Sequence, residues 1–261
     1  MQIPLFKPQT EWLPPESFPD LSKYDEIAID LETKDPDLMK MGSGSVVGKG
    51  DVVGIAVAVA GWSGYYPIAH EGGGNMSRAK VLKWFQGVLS TPAYKISHNA
   101  MYDVCCIKAL SLSVSGRIVD TMIASSLVDE NQMRYDLNNC AKRYTGKTKN
   151  ESDLYAAAKD WGVDAKAEMY KLPAIYVGAY AEKDAEITLE LWQELKKEID
   201  GILKYIVASN LLLYFLKHHK LHLQLFSYRL YSFQALLQLA FLFLFLRYTK
   251  DHFDHLERCF Y

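Results

Sequence analysis

The sequence predicts an α/β fold in which helices flank a mixed central sheet of about five strands. Three observations point there. An apolar run with β-branched residues fills positions 26–32, a second fills 52–59, and a third at 64–68 follows at once, so three strands open the chain. Beyond residue 77, helical patterns alternate with short apolar stretches. That order, three strands, then helix, strand, helix, strand and further helices, fits a sheet with an antiparallel meander at one side.

Each element has its own warrant. A proline-rich entry (Pro4, Pro8, Pro14, Pro15, Pro19) precedes the first strand, and a glycine-rich connection over 41–51 follows it. The second strand is apolar throughout, as a strand covered on both faces should be. Gly61-Trp62-Ser63 supplies the hairpin turn to the third. Ser77 is placed to cap a helix whose apolar residues Val81, Leu82, Trp84, Phe85, Val88 and Leu89 recur at helical spacing. A strand at 94–97 hands over to a helix over about 100–110, and a short strand at 117–119 runs into a helix through Met122, Ile123 and Leu127. From Tyr135 the pattern is helical, broken at Gly146, Gly162 and Pro173, and it ends in a long helix over about 176–197.

A chain of 261 residues with 49% hydrophobic residues buries a full core. Its 29 basic and 31 acidic residues leave a net charge of −2, which argues against indiscriminate gripping of duplex DNA as the main activity. Cys105, Cys106, Cys140 and Cys259 show no metal-ligand spacing and read as small core residues of a protein kept reduced. Positions 1–20 hold no apolar core of signal-peptide length, so a cytoplasmic protein is expected and no membrane association. Ser43 and Gly50 stand where a phosphate loop around Gly48-Lys49 needs Gly and Ser or Thr, so a nucleoside triphosphatase is rejected. Gly72-Gly73-Gly74 reads as a flexible connector.

Three polar clusters carry the chemistry. Asp30 and Glu32 lie two apart on the first strand and so share a face, where two carboxylates repel and lose hydration unless a cation sits between them. A divalent metal is the simplest resolution. Asn99 and Asp103, one helical turn apart just past a strand end, are expected to project together from the first turn of a helix. Tyr180 and Asp184 repeat that spacing and place a phenol and a carboxylate on one helix face. His70 and His98, near these clusters, are expected to be core or hydrogen-bonded histidines.

Together these residues resemble the DEDDy 3′-5′ exonucleases, in particular the proofreading domain of family A, DNA polymerase I-like polymerases of phages and bacteria. Asp30-Leu31-Glu32-Thr33 matches the first motif, Asn99-x-x-x-Asp103 the second and Tyr180-x-x-x-Asp184 the third, 73 residues separating Asp30 from Asp103 and 81 separating Asp103 from Asp184. The words Val53-Gly54-Ile55-Ala56, Asp120-Thr121-Met122 and Tyr135-Asp136-Leu137 agree, and the likeness covers about residues 24–195. It implies an RNase H-like (DnaQ-like) fold and two divalent ions, Mg²⁺ or Mn²⁺, held by Asp30, Glu32, Asp103 and Asp184. Tyr180 would orient the attacking water, and Asn99 and the Thr33 backbone would contact the 3′-terminal nucleotide. The implied reaction releases nucleoside 5′-monophosphates from single-stranded DNA 3′ ends. An RNase D-like exoribonuclease and a catalytically dead nucleic-acid-binding scaffold are the competing readings. For the basic and aromatic run at 142–149, lining the substrate strand and forming a solvated surface both stay open.

Past Gly201 the composition changes. Residues 202–250 contain no acid, Leu, Phe and Tyr dominate, and nothing there resembles a polymerase domain. The expected division is therefore an exonuclease domain over 1–200 and an anomalous tail over 201–261, read as out-of-frame sequence after a truncated polymerase gene. A polymerase would then have to act in trans. The most apolar stretch, 231–246, is too short and too polar to span a membrane.

Overall fold

Successive side chains of a strand alternate, and in β1 (Glu26–Lys34) that alternation decides what lies on each face of the sheet. The structure, a computed structural model, describes residues 10–149 and 151–218. Ile27, Ile29 and Leu31 turn to one face and Ala28, Asp30 and Glu32 to the other. β1 is central: β2 (Asp51–Val59) and β3 (Trp62–Pro67) join antiparallel on one side, and β4 (Tyr94–Ser97) and β5 (Ile118–Asp120) join parallel on the other, in the order β3-β2-β1-β4-β5. The mixed sheet with a meander at one side is the architecture the sequence predicts. The hairpin is tighter than predicted. Val59 pairs with Trp62, so the turn is Ala60-Gly61, where Gly61 takes φ +80° and Trp62 already belongs to the strand.

Both faces are covered. Ile27, Ile29, Ile55 and Val57 pack with Val81 and Phe85 of α2 (Arg78–Leu89) and with Cys106 and Ile107 of α3 (Ala100–Ala109), after a one-turn α1 (Leu38–Met41) in the glycine-rich connection that the sequence does not announce. Burying each large side chain contributes roughly 1.5–3 kcal/mol. α4 (Thr121–Val128) and α5 (Leu137–Thr145) follow β5. On the opposite face, Ala28, Ala56, Ala58 and Ile96 meet Leu154 and Ala157 of α6 (Ser152–Trp161) and Ala181 and Ala185 of α7 (Gly178–His218). Alanines on both sides let α7 approach the sheet closely, which brings the polar positions of its first turns to the carboxylates of β1.

Smaller expectations come out unevenly. Ser77 stands at the N-cap of α2, but its hydroxyl makes no capping bond. Gly72-Gly73-Gly74 is no loose connector: Ala174 N–H donates to Gly73 O at 3.0 Å and Glu71 N–H to Tyr170 O at 2.9 Å, which fastens the loop to the segment before α7. Cys106 and Cys140 are buried and unpaired as expected, Cys105 is half-buried, and Cys259 lies outside the described residues.

The chain divides into two compact units. Met1–Ser126 with Asn131–Leu195 holds the sheet and every motif residue; Leu127–Glu130 with the chain from Lys196 onward forms the other. α7 continues to His218, well past the expected end near 197. The tail reading for 219–261 lies outside the described residues. Among the described residues, no helix is long and apolar enough to cross a membrane.

Candidate active site

The sheet presents Asp30 and Glu32 where β1 changes character. The β1–β2 register shifts between Glu32 and Thr33, and this bulge re-aims the strand next to the carboxylate. Glu32 sits opposite Gly54, where an added Cβ would come within 1.8 Å of Tyr65 Oη, so glycine makes room for a tyrosine that is fully buried. That hydroxyl donates to His70 Nε2 at 2.6 Å, and His70 Nδ1–H donates to the Leu172 carbonyl at 3.1 Å. Burial pulls His70 down to about 4, so it stays neutral and structural. His98, bonded to Thr121 Oγ1 and the Tyr135 carbonyl, is likewise accounted for.

The second cluster straddles the start of α3. Asn99 is the N-cap of α3, left-handed at φ 65° and exposed, whereas Asp103 is only 4% exposed. Asn99 thus stands just outside the helix whose first turn carries Asp103. Asp120 imposes this conformation: its carboxylate accepts the N–H groups of Asn99 (3.0 Å) and Ala100 (2.8 Å) at the start of α3, and of Met122 (2.9 Å) and Ile123 (3.4 Å) in α4. One carboxylate thus ties together two helix N-termini, where amide donors and the helix dipole favour an anion. Thr33 Oγ1 bonds Tyr102 Oη at 2.8 Å, and that phenol donates to Asp35 at 3.0 Å.

Tyr180 and Asp184 do share a face of α7, and both reach the electrostatic field of β1. Asp30 is pushed up to about 7, first by burial and then by the Asp184 charge, with Lys149 and Lys166 opposing. Burial and the charges of Asp30 and Asp184 raise Glu32; burial and Asp30 raise Asp103, which the Leu31 backbone amide partly offsets. Asp184 is raised by burial against the pull of Lys149. Tyr180 is raised by burial and by Glu32, Asp184 and Asp30, so its phenol keeps its proton. The four carboxylates of three separate motifs therefore form one mutually repelling group over the central strand of an apolar sheet.

The 3′-5′ exonuclease family model matches residues 7–200, a span that takes in Tyr180 and all four carboxylates. The chain belongs to that family. It is 34% identical over 208 residues to a DNA-directed DNA polymerase of Pseudomonas phage M6, covering 77% of this chain and 31% of the polymerase. It is 30% identical over 190 residues to DNA polymerase I of Pseudomonas aeruginosa, covering 70% of this chain and 19% of that one. The chain thus spans a third or less of the polymerases it matches. Among solved structures, Trypanosoma brucei RNase D superposes with a TM-score of 0.52 at 17% identity over 72% of this chain and 65% of its own, which shows a shared RNase H-like fold.

The donors of this exonuclease suit a hard cation. They are carboxylate oxygens throughout, and Asp184 Oδ1 is buried without a protein hydrogen-bond partner, an acceptor that costs free energy unless something approaches it. Among the described residues no three such groups converge closely enough to enclose an ion as they stand. Two lysines take up part of the negative charge instead. Lys149 Nζ lies 2.5 Å from Asp184 Oδ2, with side chains 8% and 7% exposed, and Lys166 Nζ lies 2.9 Å from Tyr180 Oη and 2.7 Å from Glu151. The sequence reading left the 142–149 run undecided, and the structure divides it. Lys147 pairs with Glu190 at the surface, while Lys149 enters the carboxylate group. The sequence pointed to Asp120 and to the run ending at Lys149, but not to the contacts that Lys149, Lys166 and Asp120 make. Their partners lie 35, 14 and about 20 residues away, and only the fold joins them.

Proposed function

We propose that this exonuclease removes nucleotides from single-stranded DNA 3′ ends as the proofreading module of a DNA polymerase that works with it in the cytoplasm, the host's if a phage encodes it. The observation that supports the reading is the electrostatic coupling of the buried carboxyl groups of Asp30, Glu32, Asp103 and Asp184, with Tyr180 in the same field and an orphaned acceptor on Asp184. Asp30, Glu32, Asp103 and Asp184 would hold the divalent ions. Mg²⁺ or Mn²⁺ bound there supplies charge stabilisation for the attacking and leaving oxygens of phosphodiester hydrolysis.

The protein's own groups do the rest. Tyr180 keeps its proton and can only donate or position, so it orients the attacking water and does not serve as the base. The water oxygen bonds to phosphorus, the bond to the leaving 3′ oxygen breaks, that oxygen takes up a proton, and a nucleoside 5′-monophosphate departs. Asn99, which is exposed, and the backbone at Thr33 would contact the terminal nucleotide.

The test is degradation of 3′-labelled single-stranded DNA and RNA by the full chain with Mg²⁺ or Mn²⁺, beside Asp30→Ala combined with Asp184→Ala. Mononucleotides released from DNA by the parent alone are the expected result. Preference for RNA would move the protein to the exoribonuclease reading, and binding without degradation of either polymer would leave a scaffold.

A further inference from the structure

Lys149 has a position that the family chemistry does not explain. A lysine ammonium is hydrated strongly and is rarely buried without a charge partner. Here its side chain is 8% exposed, 2.5 Å from Asp184 Oδ2, and its ammonium lies 5.3 Å from the centre of the Tyr180 ring. It belongs to the connection from α5 to α6, which Lys147 also fastens to α7 through Glu190 at 2.6 Å. Lysines two apart in that connection thus hold two carboxylates of one helix, Asp184 and Glu190. The exposed outer pair contributes little, since surface ion pairs are worth ~0–1 kcal/mol. The inner pair is different: both partners are buried, the Asp184 carboxylate faces the further carboxyl groups of Asp30 and Glu32, and its other oxygen has no hydrogen-bond partner.

We propose that Lys149 is a tethered cation that occupies Asp184 in the metal-free exonuclease and must be displaced when a divalent ion binds, so that metal uptake competes with this lysine. The inference rests on the metal-binding reading of the site above. Its logic is mass action within one molecule: a site populated by its own lysine binds an external cation more weakly, in proportion to the fraction of molecules in which the lysine has let go. The same lysine lowers the repulsion among the carboxylates when no metal is present, so its loss should weaken the metal-free protein and strengthen metal binding. A lysine that merely packs there would weaken the fold and leave metal affinity unchanged.

The experiment measures Mn²⁺ binding to the full chain by calorimetry and by the loss of the free-ion paramagnetic resonance signal, for the parent, Lys149→Gln and Lys149→Arg. Thermal melts with and without Mn²⁺ accompany it. The expected result is Mn²⁺ binding about tenfold tighter or more in Lys149→Gln, the figure for losing one charge-assisted hydrogen bond from the competing state. Lys149→Arg, which keeps the cation, stays near the parent and serves where the glutamine variant fails to fold. Without metal, Lys149→Gln melts below the parent, and saturating Mn²⁺ closes the gap. Equal or weaker Mn²⁺ binding in Lys149→Gln, or tighter binding in Lys149→Arg, overturns the competition. A parent that binds no Mn²⁺ overturns the metal-site reading itself, a separate outcome.

Discussion

Replacing Asp120 with alanine tests how the second motif is held. The Asp120 carboxylate receives four backbone N–H groups, at 3.0 and 2.8 Å from the start of α3 and at 2.9 and 3.4 Å from α4. For α4 this is an N-cap, worth ~1 kcal/mol; the two short bonds to Asn99 and Ala100 are charge-assisted and add ~1.5 kcal/mol each, giving about 4 kcal/mol in all. Asn99 then loses the anchor of its left-handed backbone at φ 65°, and the first turn of α3, which carries Asp103, is free to shift. At ~2–4 °C per kcal/mol for a domain of this size, Asp120→Ala should melt roughly 8–16 °C below the parent. Turnover of a single-stranded substrate should fall roughly 10- to 100-fold, as misplacement by a fraction of an ångström does elsewhere. Asp120→Asn, which keeps one acceptor oxygen, should lie between. Differential scanning calorimetry and steady-state kinetics on purified full-length protein give both readings. A melting point within about 2 °C of the parent together with unchanged turnover would refute the clamp.

Two further expectations follow from the same site. Gly54→Ala places a methyl on Tyr65, whose buried hydroxyl is fixed to His70, so the tyrosine cannot yield; overpacking of about 1–3 kcal/mol should appear as a lower denaturation midpoint, and an unchanged midpoint in urea would show that the ring moves freely. Asp30, pushed up to about 7 from 3.8, holds a proton in the native metal-free protein that the unfolded chain has already lost, so its contribution to stability falls as pH rises from about 4 and is gone above about 7. Asp30→Asn removes that penalty. In chelator, the variant's melting point should exceed the parent's at pH 7.5 by more than it does at pH 5, and a difference that shrinks as pH rises would contradict the sign.

The elements best read from the sequence are those whose patterns are local. The β-branched runs of β1 and β2 reveal a strand because burial on one or both faces leaves its period in the residues themselves, and β4 is found over 94–97 as predicted. The four carboxylates and Tyr180 are legible for a related reason: chemistry constrains residue type at fixed short spacings, and the motif order survives in a linear reading. The left-handed backbone of Asn99 was not legible, because helical periodicity assumes helical backbone at both positions and the Asp120 carboxylate that accepts the Asn99 N–H lies 21 residues away.

By itself, the sequence determined the mixed α/β class and the order of elements along the chain, since these follow from hydrophobic period, and it offered the carboxylate group through the motifs that resemble the exonuclease family. Only the tertiary structure decided what surrounds that group. Lys149 on Asp184, Lys166 on Tyr180 and Asp120 across two helix starts are contacts between distant segments. Electrostatic attraction acts through space and leaves no periodic trace along the chain, so these partners become visible only once α7 has packed on the alanine-lined face of the sheet.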